Sequence, residues 1–294
     1  MIDFLKYRVL YAFLSAAIIV SFVGIAVYKK MTTGQIFNYS VEFTGGTQLL
    51  LGFEKPITSG EIVRILEEQG WSGITTREFS DKEILIRTKD VPEDIAQLGE
   101  KVRQVIQAKL DDNTVKVLQI DSIGEGIGKA LSWNSIKAVI FGLILMLIYI
   151  AWRFWSVAYG TGAVVSLFHD AIVILLFFLI TGKEISMNVI GAIMAVLGYS
   201  INDTIVIFAR IRENIRHMRN SSIEHIVNVS INQTLRRTIL TTGATTLVVI
   251  ALLLFGGEAL RDLSLALLIG IVFGAYSTIY IANPVMLLLY KETK

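Results

Sequence analysis

A mainly apolar run extends from Val9 to Val27, behind Lys6 and Arg8, and the pattern then changes to alternation. A run of about 20 apolar residues is the length of a membrane-spanning helix and too long for the core of a signal peptide. No small-residue cleavage site follows it, so an uncleaved first span over residues 1–28 is expected. Five further apolar segments come later, at Ile136–Ala151, Val157–Ile180, Ile185–Phe208, Ile239–Phe255 and Leu263–Tyr290. The expected layout is one span, an inserted domain at 29–134, then five spans at 135–294 with a cytoplasmic connection at 209–238.

Between the first two spans the pattern is that of a water-soluble α+β domain. Phe37–Phe43 and Thr47–Phe53 have strand character, joined through Thr44-Gly45-Gly46. Thr58–Gln69 is an expected helix, with Thr58 and Glu61 at capping-box spacing and Gly70 past its end. Ile74–Phe79 and Glu83–Thr88 form an expected hairpin around Ser80-Asp81-Lys82. Asp90-Val91-Pro92-Glu93 repeats the capping spacing before a helix whose apolar stripe is Ile95, Leu98, Val102, Val105 and Ile106. Thr114–Ile120 is the last expected strand. This β-α-β-β-α-β order predicts a ferredoxin-like domain inserted in an otherwise all-α membrane protein.

Composition changes the picture little. The chain of 294 residues is 53% hydrophobic and 18% charged, below the roughly one-quarter charge of soluble domains. A net charge of +2 gives no basic surface for nucleic acid. With no cysteine, thiol nucleophiles, thiolate metal sites and disulfides are excluded together. His169, His217 and His225 stand at no metal-ligand spacing.

Charge also orients the spans. Lys6, Arg8, Arg153, Arg210, Arg212, Arg216, Arg219, Arg236, Arg237, Lys291 and Lys294 fall on one side, against Lys183 and Arg261 in the short loops of the other. Lysine and arginine in short loops favour the cytoplasm, which places both termini inside and the inserted domain outside. In the 209–238 connection, Ser221 and Glu224 have capping spacing before Ile223, Ile226, Val227 and Ile231. A short amphipathic helix is expected there, lying in the membrane interface or docking a partner.

Candidate chemistry lies inside the spans. Asp203 sits in Gly198-Tyr199-Ser200-Ile201-Asn202-Asp203-Thr204, within a segment otherwise rich in Val, Ile, Met, Leu and Phe. An ionised carboxylate at a helix centre in the bilayer costs about 2.5–3.5 kcal/mol, so such a residue is a candidate to exchange a proton with water. The alternative is an acid permanently hydrogen-bonded to a neighbouring helix. Arg237 opens the fifth span at a similar depth and could meet Asp203, or could snorkel to headgroups. His169 and Asp170 add a second polar pair near the middle of the third span, one turn after Ser166. Thr238, Thr241, Thr242, Thr245 and Thr246 could hydrate a pathway or allow close packing, and Gly270 and Gly274 have the spacing of a packing surface. Gly124-Glu125-Gly126-Ile127-Gly128-Lys129 is not a nucleotide loop: Ile123 and Ala130 stand where a Walker motif needs glycine and Ser or Thr, and Lys129 stands where a dinucleotide fingerprint needs glycine. These glycines suit a hinge between the inserted domain and the second span. No enzymatic constellation is visible, and no cofactor is expected beyond an H⁺ or Na⁺ gradient.

Together these residues resemble the SecF side of the SecD/SecF family, part of the RND transporter superfamily. The marks are Val41-Glu42-Phe43-Thr44-Gly45-Gly46, Phe168-His169-Asp170, Gly198–Thr204 followed by Arg210-Ile211-Arg212-Glu213-Asn214, Thr234-Leu235-Arg236-Arg237-Thr238, and Phe255-Gly256-Gly257. The family usually has Gly and Asp where Ser40 and Glu42 stand, often Asp at Ala209, and frequently Pro at Glu125. The resemblance implies half of an RND-type transporter in the bacterial inner membrane, with its large domain in the periplasm. It implies pairing with SecD, association with the SecYEG channel, YajC and YidC, and use of the proton-motive force to move a preprotein outward. By the same resemblance Asp203 and Arg237 form the ion-pathway pair, with Asn202, Thr204, His169 and Asp170 beside them. A non-transporting scaffold, or half of another RND-type exporter, are the alternative readings.

Overall fold

The structure is a computed structural model and describes residues 1–71, 73–88, 95–110 and 112–290. In chain order the elements are α1 (Arg8–Thr33), β1 (Asn38–Tyr39), α2 (Val41–Thr44), β2 (Gly46–Phe53), α3 (Ser59–Glu68), β3 (Thr75–Ser80), β4 (Glu83–Thr88) and α4 (Ile95–Gln107). They continue with β5 (Val115–Ile123), α5 (Glu125–Phe154), α6 (Val157–Thr181), β6 (Glu184–Ile185), α7 (Met187–His217), α8 (Ile223–Phe255) and α9 (Gly257–Ser277). A π-helical turn at Thr278–Ala282 and α10 (Asn283–Leu289) end the chain's last span. The contacts divide the chain into two compact units, Tyr39–Ile136 and the remainder.

Among the described residues six helices are long and apolar enough to cross a membrane, so the chain is a multi-pass membrane protein. They fall into two classes. About half or more of the spans at Val157–Thr181, Met187–His217 and Leu260–Leu289 is buried within the protein, whereas α1, α5 and α8 are buried by 6, 11 and 11%. Three spans therefore form a packed centre, and three present apolar surface outward. The small residues at 270 and 274 serve that centre. A methyl group on Gly270 would come within 2.5 Å of Val196 on α7, so glycine is what lets α9 approach it.

The smaller unit is built on an antiparallel four-stranded sheet ordered β3-β4-β2-β5. Alternation along β2 sends Leu49, Leu51 and Phe53 to one face, where Leu49 lies opposite Ile86 and Ile120, and Leu51 opposite Ile84 and Val117. Ile62, Ile65 and Leu66 of α3 and Val102 and Ile106 of α4 close over that face to make the core. The expected capping box of α3 is absent. Thr58 makes no side-chain cap, and Glu78 of β3 instead accepts from the Ser59 amide at 2.7 Å. That bond holds the Glu78 carboxyl below its ordinary value of 4.5. A depressed folded value stabilises above the unfolded one, and the contribution is lost as pH falls through the folded value. Protection of the Ser59 amide from hydrogen exchange should therefore hold at pH 7 and decline below about pH 4.5, and Glu78→Gln should remove the pH dependence.

Four further expectations change. Phe37–Phe43 is not one strand: β1 covers only Asn38–Tyr39, and Val41–Thr44 forms a helical turn with the Gly45 amide bonded to the Val41 carbonyl at 2.8 Å. Gly45 and Gly46 then take φ of 78° and 108°, a left-handed course open to glycine that turns the chain into β2. The glycines after β5 are not a loop hinge, because α5 starts at Glu125 and includes Gly126 and Gly128. A Cβ on Gly128 would lie 2.9 Å from the Gly45 nitrogen, so its missing side chain serves close packing against the Gly45-Gly46 turn. The first span runs to Thr33, past the expected boundary at 28, and stops at Gly34, whose φ of 75° closes the helix, while Lys29 within it donates to the Leu179 carbonyl at 2.7 Å.

The fourth change is at 209–238. α7 continues to His217 and α8 begins at Ile223, leaving residues 218–222 between them. Ser222, rather than Ser221, caps α8 by accepting from the His225 amide. The expected amphipathic segment is the start of α8, and Ile226, Val227 and Ile231 are buried inside the protein rather than turned to lipid. Asn228 and Asn232 there accept from the amides of Phe4 and Ile2, both at 2.8 Å, and fasten the N-terminal residues to α8. The Asp90–Glu93 capping spacing, Lys291 and Lys294 lie outside the described residues.

Candidate functional site

The six residues singled out from sequence divide between two neighbouring places and one outward position. α6, α7 and the last span pack together, and α7 also packs on α8. Helical periodicity puts Ser200, Asp203 and Thr204 on the inner side of α7, all of them buried, and leaves Asn202 exposed. Asn202 is thus not brought to the site.

Asp203 is 4% exposed and faces Thr238 and the Arg237 guanidinium on α8. Thr238 is buried with it, while Arg237 is exposed. Among the described residues no ion pair within 4.0 Å joins Asp203 to Arg237. Of the threonine row, Thr241 and Thr245 bond back to carbonyls of their own helix at 3.0 Å.

Asp170 lies deeper, with no exposed surface. Its Oδ2 accepts from the Ser200 hydroxyl at 2.7 Å, and Ser277 also approaches the carboxylate. Its Oδ1 lies 3.7 Å from His169 Nδ1, beyond hydrogen-bond range. Thr204 and Thr278 share a hydroxyl contact of 3.1 Å, and Thr278 reaches the Ser200 carbonyl at 3.5 Å. Ser200, about one turn before Asp203, and Thr204, immediately after it, therefore connect α7 to the third and last spans.

The last span is interrupted where it meets this cluster. Residues Thr278–Ala282 form a π turn, a rare geometry that inserts a residue and loosens the helical ladder. Asn283 Nδ2 compensates by donating to the Thr278 carbonyl at 2.8 Å. Gly162 of α6 sits where a Cβ would be 2.5 Å from the Ala282 carbonyl oxygen, so the turn is held against backbone. Asp170 Oδ1, both ring nitrogens of His169 and Asn283 Oδ1 are buried without a hydrogen-bond partner. Leaving a buried polar atom unpaired costs about 1–3 kcal/mol.

Ser200, Ser277, Thr278 and Asn283 carry much of this arrangement and had not been singled out. The signal was there in Tyr276-Ser277-Thr278 and Asn283-Pro284, polar and helix-disturbing residues inside an apolar run. A group of three or more His, Cys, Asp or Glu side chains able to hold a metal is not found among the described residues.

Residues 102–292 match the family described as protein export membrane protein SecD/SecF, C-terminal, and residues 37–57 match the SecD/SecF GG motif. The chain belongs to the SecD/SecF family. The SecD/SecF GG motif covers the turn at Gly45-Gly46, and the C-terminal match covers every residue of the two polar clusters. Among curated relatives, the protein translocase subunit SecF of Desulfurispirillum indicum is 38% identical over 98% of this chain and 91% of its own length. That of Thermodesulfovibrio yellowstonii is 36% identical over 99% and 96%. That of Vibrio alginolyticus is 39% identical over 85% and 79%. Among solved structures, SecDF from Thermus thermophilus, titled a translocon-associated membrane protein, aligns with a TM-score of 0.82 at 32% identity. The alignment covers 96% of this chain and 38% of that one. SecDF in a super-membrane-facing form aligns at a TM-score of 0.67.

Proposed function

We propose that this chain is the SecF-type subunit of a Sec translocase accessory complex, and that it couples an ion gradient to late steps of preprotein export. The observation that carries the reading is Asp203, a carboxylate 4% exposed within a membrane span and facing Arg237 across the α7–α8 contact. A proton reaching Asp203 removes its attraction to Arg237, and the two helices then have a different preferred spacing. One elementary charge falling through 100 mV supplies about 2.3 kcal/mol, so a few ions per cycle can bias a two-state domain. The second cluster, around Asp170 and the π turn, lies one helical turn along α7 and gives a displacement there a route into α6 and the last span.

SecD is the expected partner, its own spans completing the transporter. Support comes from the SecDF chain, of which this chain matches only 38%, and from the outward apolar faces of α1, α5 and α8. SecYEG, YajC, YidC and the preprotein are the further expected partners. The asymmetry of lysine and arginine favours cytoplasmic termini and an extracytoplasmic domain in the bacterial inner membrane. The β-α-β-β-α-β order and the β3-β4-β2-β5 sheet support a ferredoxin-like reading of that domain.

The test is preprotein uptake into inverted vesicles that contain or lack the chain, with a proton or a sodium gradient imposed or collapsed. Uptake should rise with the gradient only when the chain is present, and the effective ion identifies the coupling species. A gradient-independent benefit would instead support a scaffold.

A further inference from the structure

A groove of about 340 Å³ opens at one end of the membrane unit, lined by Arg8, Val9, Ala12, Glu224, Pro284 and Leu288 among others. That volume lies within the range of small-molecule sites. Its walls are apolar, and its mouth is charged in a particular way. Arg8 Nη1 donates to Glu224 Oε1 at 2.6 Å, with both side chains about half exposed. Arg8 is the first residue of α1, and Leu287 and Leu288 belong to the closing turn of α10, so two spans terminate beside this mouth. A terminal position on two spans is the depth of lipid headgroups, with the apolar walls continuing toward the acyl region.

We propose that this groove binds a zwitterionic phospholipid of the ethanolamine type. The arrangement matches such a headgroup on both charges. Guanidinium carries five donors, and the bond to Glu224 occupies one, which leaves the others free for a phosphate. Glu224 Oε2 makes no hydrogen bond among those of the described residues and can accept from the ammonium. Val9, Ala12 and Leu288 then take the first methylenes of a chain. Phosphatidylglycerol offers Arg8 the same phosphate but brings Glu224 no ammonium to offset it, so the carboxylate sets the selectivity. Ligand binding here would bear on Pro284, next to Asn283, which braces the π turn.

The experiment is native mass spectrometry of the full chain released from membranes holding equal phosphatidylethanolamine and phosphatidylglycerol with the same acyl chains. The wild type should retain the ethanolamine lipid over the glycerol lipid by about threefold, the size of an exposed charge pair. Glu224→Gln should bring that ratio close to unity while keeping a bound lipid. Ala12→Phe should fill the groove and remove both adducts, and its thermal midpoint shows whether the chain remains folded. If Ala12→Phe is unfolded, Leu288→Ser tests the same wall from the exposed side and should weaken retention of both lipids. A wild type that prefers phosphatidylglycerol, or a Glu224→Gln variant that keeps the original preference, would overturn the assignment.

Discussion

Replacing Asp203 with Asn is expected to abolish gradient-stimulated export while leaving the protein in the membrane at its normal level. Asparagine keeps the volume and can still meet Thr238, so the α7–α8 packing should survive. What it loses is the ability to change charge. A carboxylate that gains and loses a proton alters its interaction with Arg237 by a whole Coulombic contact, whereas an amide holds one neutral state. Uptake into inverted vesicles should fall to the level of vesicles lacking the chain when a gradient is imposed, and match wild type when it is collapsed. Co-purification with SecD should be unchanged. If Asp203→Asn vesicles respond to the gradient as wild type does, the carboxylate is a structural group and coupling must lie elsewhere.

The second large effect is expected at Gly162. Valine there would drive a branched side chain into the Ala282 carbonyl, whose oxygen is already 2.5 Å from a hypothetical Cβ, and into Met286. The obstacle is backbone, which cannot swing aside as a flexible side chain can. Overpacking of this kind costs about 1–3 kcal/mol in soluble cores, and the π turn gives a reason for the upper end. A loss of that size should lower the thermal midpoint of the detergent-solubilised chain by roughly 3–10 °C. Gly191→Ala is the matched control: no atom lies within 4 Å of its Cβ position, so its midpoint should stay near wild type. Equal midpoints for the two variants would mean that the α6–π-turn contact is looser than its geometry implies.

Sequence pattern reached the spans easily because twenty apolar positions in a row admit few readings. The soluble unit was legible for a related reason: alternation in Thr47–Phe53 and the 3.6-residue stripe through Val102 and Ile106 record which side meets the core. Pattern failed at Phe37–Phe43, where a β-like composition yields to a helical turn set up by two glycines whose φ the letters alone do not reveal. It failed again at the start of α8, where Ile226, Val227 and Ile231 have the spacing of a lipid-facing stripe. The same spacing serves equally to bury a helix against α7 and the N-terminal residues. Periodicity fixes which residues share a face, and says nothing of what that face meets.

The candidate site was half legible for a comparable reason. Asp203, Asp170 and His169 announce themselves because charge is rare in hydrocarbon. Ser200, Ser277 and Thr278 do not, since hydroxyl side chains in a span commonly bond back to their own helix and pass for packing. Their role depends on the π turn, a three-dimensional register shift that no single residue encodes. Asn202 shows the converse: it neighbours Asp203 in the chain, yet a 100° step around the helix carries it off the buried face.

The stitching of Ile2 and Phe4 to Asn232 and Asn228 links positions separated by 230 and 224 residues. A ribosome adding about 5–20 residues per second needs roughly ten to fifty seconds to cover that distance. Throughout that interval the leading residues have no berth, since the asparagines that receive them do not yet exist. The N-terminal residues are therefore among the last parts of this protein to settle, and a bulky fusion at Met1 would meet its obstacle only after most of the spans had been made.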